Sequence, residues 1–171
     1  MVIPGGVMVP TGLLFPEGTG EIWGSRAGFV AVSDAHIKGE SFVAYHPGGV
    51  SPQFQTATMH VEDRHTAATR KLGKTWTREE EWYNFRTNPR PNVHVLLSVD
   101  ESTYDPRGYS VPGGSPPMGD HPISWCHRYD GGRAFYTALG HKGVYWDEPL
   151  LLSHVLGGIE MAAGAAKFDC D

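Results

Sequence analysis

The chain has 171 residues, 19% charged and 40% hydrophobic, with 22 Gly and 13 Pro. That is the composition of one turn-rich globular domain, and it excludes a disordered chain, a collagen and a coiled coil. A formal charge of −5 with no basic block argues against a nucleic-acid partner, and no apolar run approaches the roughly 18 residues of a membrane span.

Residues 1–27 have no clear periodicity and read as an irregular Gly/Pro-rich segment. Pro4, Gly5, Gly6, Pro10, Gly12 and Pro16 interrupt it and the first basic residue is Arg26, so it lacks the pattern of a secretory signal. Ala27–Ser33 (AGFVAVS) predicts a buried strand, and Pro47-Gly48-Gly49 a turn. Gln55–Val61 alternates as a strand, with Thr56, Thr58 and His60 on one face. Thr77–Trp82 (TREEEW) reads as the start of a helix or an acid-rich turn, and Asn88-Pro89-Arg90-Pro91 breaks the chain. Val93–Val99 is the clearest strand, and 105–120 is a loop by composition. Arg133–Leu139 predicts a strand entered through Gly131-Gly132. Asp147 is then a candidate N-cap for a helix from Glu148 to about Ala163, stopped by Gly164. Its expected apolar face is Leu151, Leu152, Val155, Leu156, Ile159, Ala162 and Ala163. Gly157 and Gly158 cost helix stability, which implies close backbone packing there. Few crossover helices are visible, so the residues leave α/β and α+β both open.

Cys126 and Cys170 are the two cysteines and neither sits in a CxxC. A bridge between them and two independent thiols are equal readings. Nine histidines are present, none in HExxH spacing, and there is no GxSxG elbow, phosphate-binding loop or GxGxxG. Three clusters could carry chemistry. In Glu79–Arg86 (EEEWYNFR), carboxylates beside aromatics suit sugar hydroxyls and ring faces. The plainer reading is a solvated acidic run beside a core patch; it is preferred for Glu79 and Glu80, while Glu81 and Tyr83 stay even. In Asp120–Trp125, the acid could orient His121 and raise its pKa; a loop histidine capping backbone groups is the competing reading. The third cluster ends a strand in Gly140-His141, where a histidine can act as acid or base. A hydrogen-bonded structural His141 is an equal reading. Arg133, at the far end of that strand, reads as structural.

The stretches EEWYNFRTNPRPNVHVLLSVDESTY, GDHPISWCHRYDGGRAFYTALGH and EPLLLSHVLGGIEMAAG, with ESFVAYHP and HVEDRHTAAT, resemble the trehalose-utilisation (ThuA-like) family over roughly residues 40–164. The resemblance implies an α/β, flavodoxin-like sandwich of the class I glutamine amidotransferase type, without that superfamily's cysteine nucleophile. It divides the chain into segment 1–27, a ThuA-like domain over 28–164 and a tail over 165–171. It implies use of trehalose and related disaccharides, including 3-keto sugars. By motif, the family's acid before Trp-Tyr falls on Glu81, its HP histidines on His46 and His121, and its LGH histidine on His141. The family's strand, helix and further strands ahead of GFVAV are here only a Gly/Pro-rich stub, which implies a fragment or an incomplete sheet. An incomplete sheet would leave an edge open to a second copy. Ser33 stands where the family has a histidine, with Asp34 and His36 close by. The tail resembles the end of such domains in larger secreted bacterial proteins, which favours export and a Cys126–Cys170 bridge.

The expected function is therefore acid/base chemistry on an oxidised disaccharide. Catalysis is assigned to His141, Glu81 and His121, and substrate binding to Tyr83, Trp82, Asp34, His36 and His46. The expected partner is a small saccharide, with neighbouring modules or a second copy, and no nucleic acid or membrane. No cofactor follows from the sequence, and it places no three metal ligands together. The alternatives are a non-catalytic carbohydrate-binding module, with Trp82, Tyr83 and Trp125 stacking on sugars, and an inactive fragment.

Overall fold

The structure, a computed structural model, describes residues 31–32, 42–45, 54–82, 84–85, 88–105, 117–129 and 132–170. The opening segment, Asp34, His36, His46, Tyr83 and most of the 105–120 loop lie outside the described residues. In chain order the strands are β1 (Ala31–Val32), β2 (Phe42–Tyr45), β3 (Phe54–Val61), β4 (Thr75–Glu81), β5 (Asn84–Phe85), β6 (His94–Val99), β7 (Pro122–Tyr129) and β8 (Gly132–Thr137). They are followed by one helix, α1 (Pro149–Ala163). A small sheet is ordered β1-β2-β5 and the main sheet β4-β3-β6-β7-β8.

Every pairing among the described strands is antiparallel. The parallel sheet of a flavodoxin-like sandwich is therefore not among these residues. Parallel neighbours need long crossovers, usually helical, and the described residues contain one helix, placed after the last strand. What they form is a curled antiparallel sheet with α1 against one face, compatible with an α/β ThuA domain.

Two expectations change, and one unassigned stretch becomes a strand. TREEEW is not a helix start: it lies in β4, where Trp76, Arg78 and Glu80 are buried and Thr75, Thr77 and Glu79 are exposed. The period-2 pattern is real, but two of its buried positions are charged, which hides it from a hydrophobicity reading. Residues 122–129, assigned no element from the sequence, form β7, paired with both β6 and β8, and His121 itself precedes the strand. Asp147 does not cap α1. It ends a 3-10 turn over Gly143–Asp147, and Glu148 takes the N-cap position without a capping side-chain bond.

The helix also turns a different face inward. Leu151, His154, Gly157, Gly158, Met161 and Ala162 are buried, while Leu152, Leu156 and Ile159 are exposed. The two glycines decide this. A Cβ on Gly157 would stand 2.1 Å from the Ala67 carbonyl oxygen, and one on Gly158 2.3 Å from the Phe135 ring. The helix therefore approaches β8 and the 66–69 turn by backbone. His154 fills the same layer, with Nδ1 2.9 Å from the Ala68 carbonyl oxygen and Nε2 3.2 Å from both Ser124 Oγ and Thr137 Oγ1. Gly164 ends α1 in the left-handed conformation (φ +82°), and Arg133 donates from Nε to the Ala162 carbonyl, the structural part read for it. Cys126 on β7 and Cys170 form a disulfide that ties the tail to the sheet.

Candidate functional site

The antiparallel registers run β4, β6 and β8 in one direction and β3 and β7 in the other. One end of the sheet therefore collects the last residues of β4, β6 and β8 with the first residues of β3 and β7. In a flat sheet β4 and β8, at opposite edges, would lie four strand spacings apart, roughly 19 Å. They are brought together instead. The sheet curls, and the segment after β8 returns across its end to β4.

The central contact there is a carboxylate–histidine pair. Glu81 Oε2, at the end of β4, lies 2.6 Å from His141 Nδ1. The Glu81 carboxylate is buried and the His141 ring 25% exposed. Hydrogen bonding to Glu81 holds the imidazole pKa above its ordinary value, with burial pulling the other way. Phe54, which pairs with Glu81 across β3 and β4, presents its ring to His141 at 5.4 Å between centroids. Lys142 Nζ stands 3.8 Å over the Phe54 ring and 2.6 Å from Glu79 Oε1, which also accepts from the Tyr145 hydroxyl at 2.8 Å. Gly140 has φ +100° and its carbonyl accepts from Trp146 Nε1 at 3.1 Å; a Cβ there would stand 3.0 Å from the Trp146 ring. The turn that delivers His141 thus requires a glycine before it.

A second pair lies at the same end of the sheet. His121 Nδ1 is 3.1 Å from Glu101 Oε1 and 3.3 Å from the Tyr104 hydroxyl, and its side chain is 0% exposed. Glu101 also accepts from the Met118 and Gly119 N–H groups. The carboxylate beside His121 is therefore not its sequence neighbour. Asp120 turns to Arg90, with bonds of 2.7 Å from Nε and Nη2, and to Asn88 at 2.8 Å. Arg90 also forks onto Glu62 at 2.6 and 2.7 Å. Those bonds hold Asp120 below the ordinary carboxylate range, the Arg90 hydrogen bond first. The Asn88–Pro91 break, read only as an interruption, carries this network.

The family model for trehalose utilisation, ThuA, matches residues 18–162. The chain belongs to the ThuA family. Among solved structures it is similar to a ThuA-like protein of Bacteroides uniformis ATCC 8492, at 22% identity and a TM-score of 0.55, over 74% of this chain and 49% of that one. A ThuA-like protein of Parabacteroides merdae ATCC 43184 aligns at 23% identity with a TM-score of 0.46, over 70% and 42% of the two chains. This ThuA chain thus spans about half the length of those solved relatives or less. No curated protein matches it.

In this ThuA chain Glu81, His121 and His141 all fall within the matched stretch. The structure joins Glu81 to His141 and places His121 in a separate pair with Glu101. Trp82 is buried, with its indole N–H donating to the Gln55 carbonyl at 2.8 Å and its ring against Tyr104. Trp125 is buried and stacked on Tyr136 at 4.1 Å. Both rings make packing contacts. Among the described residues, no three His, Cys, Asp or Glu side chains stand together as metal ligands. A cavity of about 310 Å³ lies at the opposite end of the sheet, lined by residues including His94, His127 and Arg128, away from both pairs. Sequence reasoning missed Glu101, whose only signal was its place soon after β6. It also missed Glu80, read as solvated and here 0% exposed.

Proposed function

We propose that this ThuA chain acts on trehalose-type or 3-keto disaccharides by removing a proton beside a keto group, with His141 as the base and Glu81 orienting it. The observation that carries the reading is the 2.6 Å contact between a buried carboxylate and a part-exposed imidazole at the sheet end. Glu81 engages Nδ1, so this reading assigns proton exchange with the substrate to Nε2. A 3-keto group acidifies the adjacent C2–H. His141 takes that proton, the electron pair forms the C1–C2 double bond, and the C1–oxygen bond breaks. The imidazolium so formed returns its proton to the departing oxygen, so atoms and charge balance with one base. The wholly buried His121 ring fits a different part: with Glu101 it orders the backbone at Met118–Gly119 rather than meeting a sugar. Because the chain spans about half of its solved relatives, the activity of a longer protein, and the flavodoxin-like frame the resemblance implies, belong to this proposal too.

The test is deuterium wash-in at C2 of a 3-keto disaccharide in D₂O, followed by NMR beside an amide titration with trehalose. Exchange or elimination that depends on His141 supports the reading. Saturable binding with no exchange favours the binding-module alternative, and neither binding nor exchange overturns the saccharide assignment.

A further inference from the structure

Glu80 sits on β4 between Glu79 and Glu81 and belongs to neither carboxylate–histidine pair. Its side chain points to the α1 face of β4 and is fully buried. Its carboxylate accepts from the Gly140 N–H at 2.8 Å, the His141 N–H at 3.3 Å and its neighbour Glu81 N–H at 3.2 Å. Arg78 Nη2 stands 3.2 Å away, and Arg78 Nη1 reaches Glu148 at the start of α1 at 3.1 Å. The guanidinium is itself buried between the Trp76 and Tyr145 rings, 5.1 and 4.7 Å from their centroids.

We propose that Glu80 is a positioning residue: its buried carboxylate, with the Arg78 charge beside it, holds the Gly140–His141 backbone so that the His141 ring meets Glu81. The inference deepens the proposed role of His141 and rests on it for functional meaning. Three observations carry it. Two of the three N–H donors belong to the turn that delivers His141, and the third belongs to Glu81 itself, so one carboxylate fixes both partners of the pair. The chain between β8 and the 3-10 turn at Gly143 has no strand or helix to hold it. A buried ion pair is also a poor source of stability, because desolvating both charges offsets their attraction. A positional role explains why it is there.

The charges around His141 come from several segments. Glu81 and Glu80 on β4 raise its pKa, and Lys142 lowers it. Glu80 is pushed up by burial, while the Gly140 N–H, Arg78 and the other donors pull against that. Loss of the Glu80 charge therefore acts on His141 in a stated direction, which a generic packing defect would not.

The experiment compares the whole chain with its Glu80→Gln and Glu80→Asp variants by NMR, with no saccharide present. In Glu80→Gln the His141 ring titrates at lower pH, and the Gly140 and His141 amides exchange about tenfold faster or more. Glu80→Asp, which keeps the charge, returns the His141 midpoint toward the parent value. A folded Glu80→Gln chain with an unchanged midpoint and unchanged exchange overturns the proposal. Should Glu80→Gln fail to fold, the parent chain decides. Gly140 and His141 amides that exchange only with global unfolding support the clamp, and amides that exchange freely from the folded state overturn it. These readouts use no sugar, so failure of the clamp and failure of the saccharide assignment are separately visible.

Discussion

His141 Nδ1 and Glu81 Oε2 meet at 2.6 Å although one follows β8 and the other ends β4, the two edge strands of the main sheet. Replacing Glu81 with Gln keeps the shape and removes the charge. The His141 pKa, raised chiefly by that hydrogen bond, then falls. Keto-sugar proton exchange should drop by up to about 10⁴-fold, the loss seen when a carboxylate that orients a catalytic histidine is made an amide. NMR titration of the ring and the deuterium wash-in rate measure the two effects. A His141 midpoint that does not move would show that the pair is not formed in solution.

His154 predicts a pH window for stability. Burial holds its pKa down to about 4, against an ordinary value of 6.5. The unfolded chain therefore binds more protons between those values, and stability falls as pH drops from 6.5 toward 4. The full effect is on the order of 3 kcal/mol, at 1.36 kcal/mol per pKa unit. His141 has the opposite sign. Its raised pKa gives stability that is fully present below the unfolded value and lost as pH rises through the folded one, so it adds no slope in the acid window. Urea titrations across pH 4–7 should show a steeper slope in the parent chain than in His154→Gln, which keeps only the contribution of carboxylates held low, such as Asp120, at the acid end; an equal slope in both would assign it elsewhere.

Gly157→Ala and Gly158→Ala test the helix contact. The added methyl groups meet the Ala67 backbone at 2.1 Å and the Phe135 ring at 2.3 Å. The helix-propensity gain of alanine, roughly 1 kcal/mol, is outweighed by overpacking of about 1–3 kcal/mol or more. Gly157→Ala should be the worse, since backbone cannot rotate away as a ring can. In thermal melts, a Gly157→Ala chain as stable as the parent would place α1 further from the 66–69 turn, and a Gly158→Ala chain as stable as the parent would place it further from β8.

Reduction of Cys126–Cys170 should destabilise the chain by about 2–4 kcal/mol, because the bridge closes a 44-residue separation and restricts the unfolded state. Parallel denaturant curves with and without reductant measure it, beside a Cys126→Ser/Cys170→Ser double variant. Coincident curves would show that the tail contributes nothing to the fold.

Much was legible in the sequence. β3, β6 and β8 follow from alternation and turn residues, and Gly164 as the helix stop follows from its αL capacity. The family resemblance was carried by long motifs and is met by the match over residues 18–162. Glu81 and His141 were both named, each balanced against a structural role. What misled was charge read as exposure. Glu80 and Arg78 are buried in β4 because each is the other's counter-ion, a compensation visible only across the fold. The face of α1 was misjudged for a related reason. Leucines suggested one face, but two glycines and a neutral histidine fit the close-packed one.

The sequence by itself determined the local states: which segments alternate, where glycine or proline ends an element, and the family those motifs mark. Those depend on neighbours a few residues apart. Only the tertiary structure decided which carboxylate each histidine meets. His121 passes over adjacent Asp120 for Glu101, and His141 reaches Glu81 across the curled sheet. Strand register and sheet curl set those distances, and both are summed over packing contacts along the whole chain rather than written in any one stretch of it.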